Sequence, residues 1–241
     1  MILKRSTKLG LAVAAALGFA SSANASLTLL GPENFAGTGL GSVNTILTIQ
    51  SPASTSSENG TVAWNGTTDV LSGANVLTGN SQTQTRLLGD LGVTSASSLR
   101  VVFNASEPGG DAITLNGLTL TLYTAGGGMF FDASLDQASY AFAQTLTGIG
   151  NSGFVFGLNA AEQTELTGLL GAAGAPTLAS LRAGLSASAI NATGGNETFF
   201  VANSGTPVPP TAVPEPETYA MILAGLGMLG FIARRRKHNL G

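Results

Sequence analysis

Carboxylates four positions apart are the first residues in this 241-residue chain whose spacing suggests chemistry: Glu107 with Asp111, and Asp132 with Asp136. Glycoside hydrolysis needs two acids about 5 to 9.5 Å apart, but a spacing of four in a loop or strand sets no such separation, and solvated loop acids are the commoner case. Calcium takes about six to eight oxygen ligands, and Glu107 to Asp111, containing Pro108-Gly109-Gly110, is the best loop for it. No EF-hand or glycine-rich calcium repeat accompanies it, so no metal or cofactor is assigned. The one histidine, His238, lies near the C-terminus, and cysteine is absent. A Ser-His-Asp or Cys-His nucleophile and a His/Cys zinc or copper site therefore have no residues to work with. Gly126-Gly127-Gly128 has no lysine and opens no helix, so it is no phosphate loop. The chain reads as a non-enzyme.

Residues able to bind rather than react are more numerous. Trp64, Tyr123 and Tyr140 could stack on sugars, although aromatics more commonly serve a core. Thr119 and Thr121 alternate with leucines, and Thr83 and Thr85 with glutamines, giving two T-x-T pairs of the kind a flat threonine face for ice would need. Solvent-facing threonine is also ordinary in strands. Asn65, Asn104, Asn191 and Asn196 begin N-x-Ser/Thr triplets, which matter only where a host glycosylates them. Asp69, Asp90, Asp111 and Asp132 recur every 21 residues, but the stretches between them share no apolar or glycine positions, so no repeat is inferred.

The elements that must position these residues are mostly strands. Period-two alternation predicts strands over Val43 to Ile49, Leu99 to Asn104, Ile113 to Leu115, Leu118 to Leu122, Met129 to Leu135, Tyr140 to Leu146, Gly153 to Leu158, Leu181 to Ile190 and Glu197 to Ala202. Leu99, Val101 and Phe103 share one face, as do Phe154, Phe156 and Leu158, so the core is expected there. Asn116-Gly117 shifts the apolar parity and marks either a tight hairpin or a bulge. One helix is expected after Asn159, an N-cap, with Glu162 at the capping-box position and Gly171 at its end. Glu162 and Glu165 resemble an acid/base pair, but acids in a first turn ordinarily complement the helix dipole. The expected fold is an all-β, two-layer antiparallel β-sandwich with one short helix, with a Gly-rich solenoid as the alternative.

Charge and composition narrow the partners. Glycine is abundant and only 10% of residues are charged, which favours short strands and turns. Between the two ends, Arg86, Arg100 and Arg182 stand against eleven acids from Glu33 to Glu197, a net charge near −8 with no lysine. Such a potential repels phosphate backbones and excludes nucleic acid as a partner. Cations or neutral polymers suit it better. About 180 residues between the ends suffice for one domain without disulfides.

Both ends carry addresses. Lys4-Arg5 and Lys8, the apolar run Leu9 to Ala20, and Ala23-Asn24-Ala25 form the three parts of a secretory signal, with cleavage expected after Ala25. Residues 1–25 are thus a signal peptide for Sec export, and 26–204 an extracytoplasmic domain. A Pro-rich linker, 205–217, includes Val213-Pro214-Glu215-Pro216-Glu217 and favours extended polyproline II. Residues 218–233 form an apolar helix, and 234–241 a basic tail with Arg234, Arg235, Arg236 and Lys237 as a stop-transfer cluster. The uninterrupted apolar run, Tyr219 to Ala233, spans roughly 22 Å as a helix, short of a typical core of about 30 Å, so the anchor is marginal. The positive-inside rule places the basic tail in the cytoplasm and Ser26 to Glu217 outside.

Val213-Pro214-Glu215-Pro216, the helix containing Leu223-Ala224-Gly225-Leu226-Gly227, and the terminal basic cluster together resemble the PEP-CTERM sorting domain. The resemblance covers about 28 residues. It implies that Pro-Glu-Pro is recognised by exosortase, a membrane-embedded processing enzyme, while helix and basic residues hold it at the bilayer. It further implies a Gram-negative host and an inner-membrane intermediate delivered to the cell surface or extracellular matrix. A non-enzymatic protein associated with exopolysaccharide or biofilm is the expected function. The alternative is a glycan-, calcium- or ice-binding module, since some ice-binding proteins carry the same tail.

Overall fold

The computed structural model describes residues 25–33, 44–52, 55–79, 81–105, 112–142, 153–192 and 195–204. The expected signal peptide up to Asn24, the Pro-rich linker, the apolar C-terminal run and its basic tail lie outside them, as do Glu107, Asp111 and His238.

Among the described residues, twelve strands and one α-helix occur in the order β1 (Ala25–Glu33), β2 (Thr45–Ile49), β3 (Ser57–Trp64), β4 (Asp69–Ser72), β5 (Arg86–Leu87), β6 (Leu99–Asn104), β7 (Ile113–Tyr123), β8 (Met129–Leu135), β9 (Tyr140–Phe142), β10 (Gly153–Leu158), α1 (Ala160–Leu170), β11 (Arg182–Ile190) and β12 (Glu197–Asn203). The expected separation into two sheets is not found. Hydrogen bonding runs continuously through one sheet in the order β2-β12-β6-β10-β1-β8-β7-β11-β3-β4, with β5 beside β11 and β9 beside β7. The sheet curls as an open half-barrel around a single main core, so inward side chains meet across the curl as they would between sandwich layers. Among the described strands all pairs are antiparallel except β1 with β8, which is parallel.

Local chemistry explains the curl. Gly60 of β3 faces β2, and a Cβ there would lie 2.5 Å from Ile49 Cγ2 and 2.6 Å from Val76 Cγ2. Only glycine lets these two strands, far apart in the sheet order, approach so closely. The stretch between β4 and β5 then fastens β2: Gln50 N–H donates to Asn75 O at 3.0 Å, Leu77 N–H to Thr48 O at 3.0 Å, and Gln84 N–H to Ile46 O at 2.9 Å.

Asn116-Gly117 forms a bulge rather than a hairpin. β7 runs unbroken through both residues, while its register with β11 shifts between Ser188, opposite Gly117, and Ala189, opposite Leu115. The shift returns Leu118, Leu120 and Leu122 to the same buried side as Ile113 and Leu115. Aromatic packing fixes the other half of the core: Phe103 stacks on Phe199 with centroids 4.9 Å apart, and Phe142 on Phe154 at 3.8 Å. Burying each such ring is worth about 1.5–3 kcal/mol.

α1 begins where expected. Asn159 Oδ1 accepts from Ala161 N–H at 2.8 Å and Glu162 N–H at 3.3 Å, satisfying two N-terminal amides, and Gly171 caps the far end. Leu166 inserts into the core while most of the helix surface faces solvent. Glu162 is buried and Glu165 exposed, so the two do not converge as an acid/base pair.

Candidate functional site

One row of small hydroxyl residues crosses the sheet's outward surface between β4 and β8, flanked along the strands by residues such as Val70, Arg182, Ile190 and Asp132. Ser72 stands opposite Thr61, Thr61 opposite Ser186, Ser186 opposite Thr119, and Thr119 opposite Ser134. Ser134 in turn stands opposite Ser26 on β1. One row perpendicular to the strands thus carries a hydroxyl on each of six neighbouring strands. Adjacent strands lie about 4.8 Å apart, so the row extends roughly 24 Å. Thr61 Oγ1 donates to Ser186 Oγ at 2.9 Å, and the hydroxyls of Thr119 and Ser134 are bonded at 2.9 Å. Each hydroxyl offers one donor and two lone pairs, so these bonds leave capacity for an outside partner.

A shallow groove of about 360 Å³ follows part of this row, with Asn59, Ser72, Thr119, Ser186 and Ser188 among its walls and no ionisable side chain lining it. Glycines hold it open: a Cβ on Gly117 would lie 2.5 Å from Ser188 Oγ, and one on Gly73 2.8 Å from Asn59 O. Thr121 and Tyr123 continue the outward face of β7, and Tyr123 stands opposite Arg182. The Arg182 guanidinium lies 4.2 Å over the Trp64 ring, whose Nε1–H donates to Ala125 O at 3.0 Å. Trp64 and Tyr123 are both half-buried and lie to one side of the hydroxyl row, three positions along β3 from Thr61 and four along β7 from Thr119.

The remaining sequence candidates do not gather. Thr83 and Thr85 are buried, not displayed: Thr83 Oγ1 accepts from Thr48 N–H at 3.1 Å, and Thr85 Oγ1 donates to Asp69. Of the two T-x-T pairs, only Thr119 and Thr121 belong to the surface. Asp132 and Asp136 are exposed, and Asp136 accepts a short hydrogen bond from the Tyr140 hydroxyl. The Tyr140 phenol is raised above its ordinary pKa, chiefly by burial and then by that bond and the adjacent negative charge, against a backbone hydrogen bond from Leu29. Among the described residues no group of three or more His, Cys, Asp or Glu side chains is arranged to hold a metal. Of the glycosylation-type asparagines, Asn104 is buried with Nδ2 on Thr198 Oγ1, while Asn65 closes its own turn by accepting from Thr67 and Thr68 N–H at 2.9 Å each. Asn191 is exposed with φ of 63°.

The hydroxyl row was legible only through Thr119 and Thr121, because its other members lie on five other strands and come together only through the pairing.

Ala25 opens β1 opposite Ala133, so the expected cleavage after Ala25 would leave Ser26 as the first residue of that strand. Ala23, the Val213 to Pro216 motif and the Arg234 to Lys237 cluster lie outside the described residues. A family model described as the PEP-CTERM protein-sorting motif matches residues 212–237. The chain carries that sorting motif. PEP-CTERM sorting implies an exported protein that transits the membrane, with exosortase as its processing partner. The match takes in the Pro-Glu-Pro residues, the apolar run and the basic cluster together. No curated protein and no solved structure matches the chain. Among the described residues no helix is long and apolar enough to cross a membrane.

Proposed function

We propose that this is a non-enzymatic surface or matrix protein, exported by the Sec route, sorted through its PEP-CTERM motif, and associated at its destination with exopolysaccharide or biofilm matrix. The observation that carries this reading is the sorting motif at residues 212–237. The lack of histidine and cysteine between the two ends supports a role in binding rather than covalent catalysis. An acidic, lysine-free domain suits a neutral matrix better than a polyanion. The destination is the Gram-negative cell surface or extracellular matrix, reached through an inner-membrane intermediate held by the 218–233 helix and the basic tail.

Intact mass combined with cell fractionation in an exosortase-bearing host tests the proposal. A species beginning at Ser26, ending near Glu215 and found outside the membrane is the expected result. Full-length tail in the membrane fraction would mean a simple anchor. Substituting Pro214, Glu215 and Pro216 together should block processing; unchanged processing would sink the assigned role of those three residues.

A further inference from the structure

We propose that the outward hydroxyl face of β4, β3, β11, β7 and β8 is the surface on which the protein holds a neutral polysaccharide. This deepens the matrix reading above and rests on it.

Three independent features converge on that class of partner. The first is hydrogen-bonding chemistry. A sugar polymer presents hydroxyls that both donate and accept, and the row from Ser72 through Thr61, Ser186 and Thr119 to Ser134 answers with hydroxyls of the same dual character. That stretch runs roughly 19 Å across five strands and can engage several successive sugar units of an extended chain.

The second is charge. No ionisable side chain lines the groove, and the domain around it carries a net charge near −8. A polyanion would approach against that field with no local cation in the groove to receive it. A neutral polymer meets no such barrier.

The third is the aromatic boundary. Tyr123 continues the same outward strand face as Thr119 and Thr121, and Trp64 is held by its bond to Ala125 O and by Arg182 over its ring. A pyranose presents an apolar C–H face beside its hydroxyl rim. Half-buried rings about 10–13 Å along the strands from the hydroxyl row place both kinds of surface within the span of one oligosaccharide. The bulge at Asn116-Gly117 contributes too, because it places Gly117 where a side chain would collide with Ser188 and close the groove.

The test is affinity electrophoresis of the full chain through native gels containing dextran or hydroxyethylcellulose, with alginate as the anionic comparison. The parent protein should be retarded by at least one neutral polymer and not by alginate. Ser186→Glu, at the centre of the row, should raise the apparent dissociation constant at least tenfold, and Ser186→Lys should do likewise, since either charge must be desolvated against the sugar. Thr164→Glu, on the exposed side of α1, should leave retardation unchanged. Circular dichroism and the thermal midpoint check that each variant is folded; should Ser186 variants fail that check, Ser188→Glu at the groove wall replaces them with the same expectation. Equal retardation of the parent and of the folded Ser186 or Ser188 charge variants would overturn the assigned face while leaving polysaccharide association standing. Parent protein that ignores every neutral polymer, or that shapes ice crystals without polymer retardation, would overturn the polysaccharide assignment itself, while correct processing in the fractionation experiment would still uphold sorting.

Discussion

The two halves of the sheet use their faces in opposite ways. In β12, β6 and β10, apolar side chains occupy both faces: Phe103, Phe156 and Phe199 point into the main core, while Val102, Val155, Phe200 and Ala202 form a second buried cluster behind them. In β7, β8 and β11 the inward face is equally apolar and β3 adds Val62 to it, but the outward positions of these four strands carry Thr61, Thr119, Ser134 and Ser186. The first half is therefore structural on both faces. The second spends one face on stability and leaves the other free to be read by a partner, which is why the candidate surface lies there.

Truncating equivalent outward positions in the two halves should expose the contrast most sharply. Phe200→Ala should cost about 3–5 kcal/mol in denaturant unfolding, the usual range for a buried phenylalanine. Ser186→Ala, which removes one acceptor from Thr61, should cost no more than about 1 kcal/mol. Comparable losses at the two sites would mean that the hydroxyl face is also buried against something, and the distinction would fall. The next largest effect is expected where the halves touch. Gly60→Ala drives a methyl into Ile49 and Val76 and should destabilise by about 1–3 kcal/mol. In an Ile49→Ala background the same change should cost measurably less, and strict additivity would show that the curl does not depend on this contact.

Residue patterns reveal these halves unequally. β6 and β10 are readable from sequence because their phenylalanines and valines alternate or run continuously over six residues. β3 is not, because its three inward positions before Ala63 are Glu58, Gly60 and Val62: one acid, one glycine required by close approach, and one ordinary core residue. β1 lies in the middle of the sheet, yet its alternation is short, being interrupted by Gly31-Pro32 soon after the expected signal peptide. β4 and β5 have four and two residues, too few for any period to declare itself. The choice between sandwich and half-barrel depends on pairings such as Leu185 with Val62, more than a hundred positions apart, on which local propensity has no bearing. The sorting motif was readable for the opposite reason. Its order of Pro-Glu-Pro, apolar run and basic cluster is linear and needs no fold to assemble it.

The helix sits near the junction of the halves, and its cap links them. Asn159 accepts from two amides of α1 while its Nδ2 donates to Ser26 Oγ at 3.2 Å, the β1 end of the hydroxyl row. Asn159→Ala should cost about 1 kcal/mol by thermal unfolding, and Asn159→Asp less, because the aspartate keeps the cap and loses only the donor to Ser26. Equal costs would place the importance of Asn159 in the link to β1 rather than in the cap.

The smallest effect concerns Tyr140, which packs at 5.5 Å edge-on to Phe156 in the aromatic half while its hydroxyl reaches the exposed Asp136 beyond β8. Burial and the neighbouring carboxylate both disfavour the phenolate, so its folded pKa stands above its unfolded value. A raised phenol contributes stability that is fully present below the unfolded value of about 10 and is lost as pH rises through the folded value. The parent should therefore lose stability on the alkaline side more steeply than Tyr140→Phe, with the two profiles parallel below about pH 9. Asp136→Asn removes the adjacent charge but leaves the burial, so its phenolate should appear, by ultraviolet difference absorbance, at lower pH than in the parent. An unmoved titration in that variant would mean that packing in the aromatic half alone controls the phenol and that Asp136 is a bystander.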